Sequence, residues 1–315
     1  MRKLHSIKIV FFGTARLAQI VLEKLIDSPY RPQVVVTVPD KKAGRGQKEQ
    51  ISPVKKTALE NNLEILQPKD LYELNVKSQL SNVDLAILVA YGLIIPKEIL
   101  TIPKYGFVNV HPSLLPKYRG PSPIQTAILA GEKKIGVSII LLDEKIDHGP
   151  ILAQKKITIA TNDTHASLIE YLGKIGSRLL IQILPKYLAG SLKSKTQNHS
   201  QATFTKHIKK SSGYLDPENP PDPQTFDRMI RAYHPWPGVL TRVTLRQTQG
   251  DAEQSRSIKM KSGKSMLIKF LPGNLIQPEG KRPMTITDFK NGFPAEAKQL
   301  EKILSQQPLK GESLL

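Results

Sequence analysis

The sequence contains no cysteine in its 315 residues, and this absence excludes disulfides, thiolate nucleophiles and cysteine-ligated metal sites. A reducing compartment suits such a composition. Long hydrophobic runs are also absent, because no apolar stretch approaches the roughly 20 residues that a membrane-spanning helix needs. The apolar run that begins at Ile7 is short and leads into a glycine turn, unlike a cleavable signal. We interpret it as the first strand of the fold.

Acidic residues are scarce relative to basic ones. The chain has 27 Asp and Glu against 46 Lys and Arg, which gives a formal net charge of +19. Both halves of the chain are basic. This favours a polyanion, such as a nucleic acid, that contacts both halves. The alternative is a protein that is merely basic and has no such partner.

Two further motifs are missing. The turn after the first strand reads FFGTARLA, in which Gly13 stands alone, so the G-x-G-x-x-G signature of nicotinamide and flavin enzymes is absent. No two histidines are four residues apart, and no cluster of carboxylates and histidines has metal-ligand spacing. We therefore expect neither a dinucleotide cofactor nor a metal.

The first 150 residues alternate short apolar runs with amphipathic stretches. Continuous apolar strands separated by helical periods are typical of a parallel sheet that is covered by helices on both faces. We predict an α/β fold with a Rossmann-like, doubly wound parallel sheet. The predicted strands are IKIVFFG (7–13), VVVTV (34–38), EILQ (64–67), DLAILVA (84–90) and FVNVH (107–111).

The rest of the chain predicts a domain boundary. Strands at 136–143 and 149–159 and a long helix, with Thr164 as its cap and Gly190 just past its end, complete a catalytic domain of residues 1–190. Residues 191–212 are polar and aperiodic, as in a linker. Residues 213–315 predict a smaller β-rich domain, with an entry helix that begins at TFDRMIRAY and strands at VLTRVTL, SIKMKS and SMLIKFL.

Two polar side chains end an otherwise apolar strand. Alternation in FVNVH puts Asn109 and His111 on one face, at the carboxyl end where ligands bind to parallel sheets. An asparagine amide can donate to a developing oxyanion, and a histidine can carry a proton near neutral pH. The pair therefore suits attack on a carbonyl carbon, although a turn-forming Asn109 and a structural His111 would explain the same pattern.

Attack on a carbonyl also needs a carboxylate that holds the imidazole or takes a proton from the nucleophile. Asp147, in the turn DEKIDHGP, is the candidate, and Asp143 and Glu144 are its rivals. The alternative makes Asp147 a local turn residue. His148 could compete for the histidine role, but neighbouring residues in a turn usually point apart.

A basic segment, PDKKAGRGQKEQISPVKK (39–56), follows the second predicted strand. Its glycines and its lack of apolar periodicity predict a mobile exposed loop, and its charge suits a phosphate backbone. A solvated loop without a ligand is the alternative. The cations proposed to contact nucleic acid are Lys41, Lys42, Arg45 and Lys48.

Taken together, these motifs resemble the methionyl-tRNA formyltransferases over nearly the whole chain. NVHPSLLP with a downstream aspartate is specific for formyltransferases that use 10-formyltetrahydrofolate, and the AGRG loop and IRAYHPWPG narrow the match to the tRNA branch. The matching stretches are FFGT (11–14), PDKKAGRGQ (39–47), SPVK (52–55), VAYGLIIP (89–96), NVHPSLLPKYRGPSPIQ (109–125), DHGPIL (147–152), ATFTKHIKKSSGYLD (202–216) and IRAYHPWPG (230–238).

The resemblance implies roles for residues of this chain. Asn109, His111 and Asp147 would form a catalytic trio, the basic loop would enter the tRNA acceptor stem, and the second domain would be an OB-like barrel on the tRNA backbone. The implied folate contacts are Val89, Ala90, Tyr91, Gly92, Ser113, Leu114, Leu115 and Pro116.

The sequence departs from the family pattern at two places. Ala15 and Arg16 stand where the family usually has proline and an acidic residue, which puts the start of the first helix in question. His148 stands where threonine is frequent, beside Asp147, whose proton affinity it could change.

The implied function is transfer of formyl from 10-formyltetrahydrofolate to the amino group of methionine on initiator methionyl-tRNA, by a monomer in the bacterial cytoplasm. The rivals are a sibling formyltransferase that acts on an amino-sugar nucleotide or another small amine, a folate-dependent deformylase that uses water, and a catalytically silent RNA-binding protein.

Overall fold

A computed structural model describes residues 7–43, 48–72, 74–245 and 265–305. The chain forms two compact units. The first comprises the described residues of 1–127, 132–161 and 167–207, and the second those of 128–131, 162–166 and 208–315. The predicted boundaries at residues 190 and 212 stay a prediction.

The strands of the described residues are β1 (Ile9–Gly13), β2 (Val34–Val36), β3 (Lys41–Ala43), β4 (Lys48–Gln50), β5 (Glu64–Leu66), β6 (Leu85–Val89), β7 (Phe107–His111), β8 (Lys134–Leu141), β9 (Ile151–Thr158), β10 (Val239–Thr244), β11 (Ser265–Leu271), β12 (Leu275–Pro278) and β13 (Met284–Thr285). The α-helices of the described residues are α1 (Arg16–Ile26), α2 (Pro53–Glu60), α3 (Leu74–Leu80), α4 (Lys97–Leu100), α5 (Pro123–Leu129), α6 (His165–Leu188), α7 (Pro223–Tyr233), α8 (Ile286–Gly292), α9 (Pro294–Gln299) and α10 (Glu301–Leu304).

The main sheet of the first unit has the order β5-β2-β1-β6-β7-β8-β9 among the described residues. The first five strands in this order, β5, β2, β1, β6 and β7, are parallel, which confirms the predicted α/β class. The predicted parallel sheet is confirmed in part, because the sheet is mostly parallel but β8 is antiparallel to both β7 and β9. The turn between β8 and β9 is too short for the crossover connection that a parallel pair requires.

Both faces of this sheet are buried, as the continuous apolar strands predict. In β1, Ile9 and Phe11 pack into one core cluster and Val10 and Phe12 into another. Successive side chains of a strand point to opposite faces, so the two clusters are the two layers of a doubly wound sheet.

The sheet order reverses at β1, because β2 and β5 lie on one side of it and β6 lies on the other. Ligands of open α/β sheets bind outside the carboxyl ends of the strands near such a reversal. The Thr14 hydroxyl, just after β1, donates a 2.8 Å hydrogen bond to the Tyr91 carbonyl, just after β6. The ends of the two central strands are thereby joined at the edge where a ligand is expected.

Helix α1 begins at Arg16 although its start lacks a favourable cap. Ala15 has the extended backbone of a cap residue, but its side chain makes no capping hydrogen bond. Arg16 would oppose the positive end of the helix dipole. Glu170 offsets that charge, since its carboxylate receives two hydrogen bonds from the Arg16 guanidinium at 2.6 and 3.0 Å. The unusual start is therefore compensated by a residue of α6.

The second unit contains an antiparallel four-stranded sheet of order β10-β11-β12-β13 in the described chain. Helix α7 confirms the predicted entry helix, and β10 and β11 confirm two of the predicted strands. The predicted strand SIKMKS (257–262) lies outside the described residues. The sequence did not predict α8, α9 and α10. Within the ranges that the structure describes, no helix is long and apolar enough to cross a membrane.

Candidate active site

Asn109 and His111 lie at the carboxyl end of β7, with 4% and 5% of their surfaces exposed. Val108 and Val110 belong to the core cluster on the other face of the sheet. The alternation in FVNVH therefore places Asn109 and His111 on the face opposite Val108 and Val110, as predicted. Two such buried polar groups need partners, and the turn between β8 and β9 supplies one.

Asp147 brings the three predicted residues together. Its Oδ1 atom lies 3.2 Å from Asn109 Nδ2 and 3.4 Å from His111 Nδ1. Its Oδ2 atom accepts a 2.7 Å hydrogen bond from the Gly120 backbone N–H. The backbone of Asp147 is in the left-handed region, with φ of 47°. Few residues other than glycine adopt this conformation, although aspartate and asparagine do so more readily than most, and it turns the carboxylate toward β7.

The hydrogen bonds of His111 assign one of its protons. Nε2 lies 2.9 Å from the Tyr118 carbonyl oxygen, which can only accept, so this nitrogen carries a proton. Nδ1 faces the Asp147 carboxylate. Both ring nitrogens therefore face oxygen acceptors, an arrangement that accommodates an imidazolium and lets Nδ1 exchange a proton with the carboxylate side.

Residues 118–120 hold the trio from the proline-rich loop. The Tyr118 carbonyl binds His111, and the Gly120 N–H binds Asp147. Tyr118 has a left-handed backbone, with φ of 62°, and its N–H donates to the Thr203 hydroxyl at 2.8 Å. The Tyr118 hydroxyl donates to Glu132 at 2.7 Å, and burial together with this hydrogen bond raises the pKa of Tyr118, so it stays a donor.

Arg119, between these two residues, has 3% of its surface exposed. Burial lowers the pKa of Arg119, while the nearby charges of Asp147 and Asp143 oppose that shift. Sequence reasoning missed Tyr118, Arg119 and Gly120 as functional residues. The signal was a cation and a glycine next to each other in a loop of prolines, immediately after the strand that carries the polar pair.

The rivals of Asp147 have other partners. Asp143 Oδ2 lies 2.5 Å from His148 Nδ1, and Glu144 forms a 2.7 Å ion pair with Lys97. His148 also stacks on His199, with 3.9 Å between ring centroids. His148 is thus directed to Asp143 and His199, and its side chain has a different carboxylate partner from that of His111.

The eight predicted folate contacts surround the carboxyl edge of β6 and β7 and differ in exposure. Val89, Tyr91, Ser113 and Leu115 are buried within the protein. Ala90 and Gly92 are exposed, with φ of 41° and 93°. The last two, Leu114 and Pro116, are half-buried.

Tyr91 is unusual among these residues, because its hydroxyl is buried and has no hydrogen-bond partner among the described residues. Burial raises the pKa of Tyr91 to about 12, so the hydroxyl is a free donor at neutral pH. An unpartnered buried hydroxyl is costly, and this one retains the capacity to form a further hydrogen bond.

The basic segment is more ordered than a mobile loop at its two ends. β3 and β4 form an antiparallel hairpin in which Lys42 pairs with Glu49 and Ala43 with Lys48. Lys41 is exposed on the first of these strands. Arg45 lies outside the described residues. The two strands pair through their backbones, and the lack of apolar periodicity in this segment is why the sequence did not predict them.

An amide donor, an imidazole and a carboxylate converge at a sheet edge, and this set suits transfer of an acyl group to an amine. In the described portion of the chain, no group of three or more His, Asp or Glu side chains could hold a metal ion.

Comparison with known proteins agrees with this chemistry. The formyl transferase family model matches residues 7–184. A methionyl-tRNA formyltransferase of Methylococcus capsulatus is 37% identical over 311 residues, covering 93% of this chain and 99% of that protein. One of Chloroflexus aurantiacus is 42% identical over 236 residues, covering 74% and 76%.

Among solved structures, the N-formyltransferase from Helicobacter canadensis in complex with folinic acid and dTDP-3-aminofucose shares the fold. Its TM-score is 0.55 at 23% identity, over 72% of this chain and 80% of that chain. The family match and the extent of the sequence relatives are what identify the chain. It belongs to the formyl transferase family and, within it, to the methionyl-tRNA formyltransferases.

Proposed function

We propose that Asn109, His111 and Asp147 catalyse the reaction of this family in this chain: transfer of formyl from 10-formyltetrahydrofolate to the amino group of methionine on initiator methionyl-tRNA. The observation that carries the proposal is the convergence of Asn109 Nδ2 and His111 Nδ1 on one oxygen of Asp147, at 3.2 and 3.4 Å. The product is N-formylmethionyl-tRNA, which serves translation initiation.

In this mechanism one C–N bond forms and one breaks. The methionine nitrogen attacks the formyl carbon, and Asp147 accepts the proton that this nitrogen loses. Asn109 donates its amide hydrogen to the oxyanion that develops on the formyl oxygen. His111, protonated beside Asp147, stabilises this charge and returns a proton to the leaving folate nitrogen, so that protons balance over the cycle.

The three residues start the reaction already aligned. The hydrogen bonds from Gly120 to Asp147 and from His111 to the Tyr118 carbonyl fix the carboxylate and the ring. Such preorganisation removes part of the entropic cost of bringing two substrates into one reacting geometry.

The formyl donor fits beside β6 and β7. The free Tyr91 hydroxyl supplies a buried donor, and the exposed turn at Ala90 and Gly92 lets a planar ring approach the backbone. Leu114 and Pro116 offer half-buried apolar surface on the other side. The donor carries its formyl group on a nitrogen, as an amide-like group that an amine can attack.

The basic hairpin and the second unit are proposed to hold the tRNA. Lys41, Lys42, Arg45 and Lys48 would contact the acceptor stem through phosphates. The four-stranded antiparallel sheet of the second unit would be part of an OB-like barrel on the tRNA backbone. We further propose a monomer in the bacterial cytoplasm, where a cysteine-free composition suits the reducing conditions and initiator tRNA is available.

The test is transfer of labelled formyl from 10-formyltetrahydrofolate to purified methionyl-initiator tRNA, with free methionine and a dTDP-amino sugar as parallel acceptors. We expect label on the charged tRNA alone. Label on the amino sugar would overturn the acceptor assignment, and release of formate without transfer would indicate a deformylase. If the protein binds tRNA but neither transfers formyl nor releases formate, it is a catalytically silent RNA-binding protein.

A further inference from the structure

Gln197 spans the site from a segment that sequence reasoning treated as a linker. Its side chain is 4% exposed. Nε2 donates hydrogen bonds to two backbone carbonyls of the β8–β9 turn, at 2.9 Å to Asp147 and 2.7 Å to Gly149. Both amide hydrogens therefore bind the backbone of the residues on either side of His148. One of these residues is Asp147, whose side chain is the proposed catalytic carboxylate.

Arg119 holds the other end of this amide. Its guanidinium donates to Gln197 Oε1 at 2.7 Å and also lies 2.9 Å from His199 Nδ1. Gln197 and His199 are neutral acceptors for this buried cation. A charged donor on the oxygen of an amide polarises the amide and strengthens the hydrogen bonds that its N–H groups donate. Arg119 therefore fixes the orientation of Gln197 and strengthens the hydrogen bonds that Gln197 donates to the turn.

The β8–β9 turn needs such hydrogen bonds to keep its conformation. Asp147 is in the left-handed region, with φ of 47°, and conformations of this kind persist only when their surroundings over-determine them. Gly120 fixes the carboxylate from one side, and Gln197 fixes the carbonyl of the same residue from the other. Without Gln197 the turn could relax, and the carboxylate would move relative to Asn109 and His111.

We propose that Gln197, oriented by the buried Arg119, is a positioning residue that holds Asp147 in its reactive geometry. This inference rests on the catalytic role proposed above for Asp147. It assigns no contact with either substrate to Gln197. Its removal is therefore expected to act on the chemical step rather than on substrate binding.

Two variants separate the donor function of the amide from its pairing with Arg119. Gln197→Met keeps a similar side-chain length and loses every polar contact. Gln197→Glu keeps an oxygen acceptor for Arg119 and loses both N–H donors. Gln33→Glu is the matched control, because Gln33 also accepts through Oε1, from the Ile9 N–H at 2.6 Å, and it lies at the opposite end of β1.

The measurements are kcat and KM for each substrate, with labelled methionyl-tRNA formylation as the assay. For both Gln197 variants we expect kcat to fall roughly 10- to 100-fold, the loss expected of about 1 Å of misplacement. KM should change little.

Several outcomes would overturn the inference. These are wild-type kcat in Gln197→Glu, a loss confined to KM, or a fall in kcat that is fully explained by the fraction of the variant that is unfolded at the assay temperature. If Gln197→Met does not fold, Gln197→Glu decides alone, since it keeps the partner of Arg119. A wild-type protein that fails to formylate methionyl-tRNA in the same assay would instead refute the proposed function.

Discussion

At the scale of single residues, the site depends on backbone conformation as much as on side-chain type. Asp147 and Tyr118 both occupy the left-handed region, and the Asp147 carboxylate contacts Asn109 while the Tyr118 carbonyl contacts His111. Strand alternation predicts that Asn109 and His111 share one face of β7, whereas Asp143 and Glu144 stay open beside Asp147 until the family resemblance selects Asp147. The sequence could not predict that Gly120 and Gln197 bind Asp147, because a local sequence pattern carries no information on hydrogen bonds between distant segments.

Asp147→Asn should reduce kcat about 10³-fold, within the range that a positioned acid–base group contributes, and leave the fold intact. Asparagine tolerates the left-handed backbone, so this exchange removes the charge and the proton acceptor without straining the turn, which alanine would not ensure. Single-turnover formyl transfer at saturating substrates measures the loss.

Asp143→Asn is the matched control for this carboxylate. It weakens the pair with His148 and leaves the trio unchanged, so we expect near-normal turnover. If the two variants lost equal activity, or if Asp147→Asn kept normal turnover, Asp147 would not be the proton acceptor.

At the scale of elements, the strands of the main sheet and the long helix α6 were predicted, and the short helices α8, α9 and α10 were not. β1 and β6 are apolar throughout, β7 is apolar except for its polar pair, and α6 is 24 residues long, so each has a readable pattern. In contrast, α10 has four residues, which is about one helical turn and too few to show a 3.6-residue period. The antiparallel edge was missed because a strand's own sequence does not encode the direction of its neighbour.

The start of α1 offers a test of capping. Ala15 is exposed and already extended, so Ala15→Thr should provide the missing acceptor for the first-turn N–H groups. We expect Ala15→Thr to be more stable than the isosteric Ala15→Val by about 1 kcal/mol, a typical value for a cap. Urea denaturation of both variants measures the difference. Equal stabilities would mean that the hydroxyl forms no cap at this position.

At the scale of the whole molecule, charge is the property that the sequence predicts directly. The net charge of +19 does not determine the fold, but it governs how strongly a phosphate backbone is attracted and how that attraction responds to salt. The formyl donor is small and carries few charges. The two substrates should therefore respond differently to ionic strength.

Between 50 and 200 mM salt, kcat/KM for methionyl-tRNA should fall about 10³-fold, as for a protein with about six phosphate contacts, while KM for the folate stays nearly constant. Steady-state kinetics across this range provides the measurement. Lys41→Ala should lower the salt slope by about 1, and Lys24→Ala, an exposed cation in the last turn of α1, serves as its control. Equal salt sensitivity for both substrates would contradict electrostatic capture of the tRNA.

The contact between Gln197 and Asp147 has a consequence for the order in which the enzyme becomes active during synthesis. Gln197 follows Asp147 by 50 positions and Arg119 by 78. A ribosome therefore releases all three members of the trio well before it releases the amide that contacts the turn. The nascent chain can form its strands early, but the reactive geometry is completed only when a late segment returns to an early one.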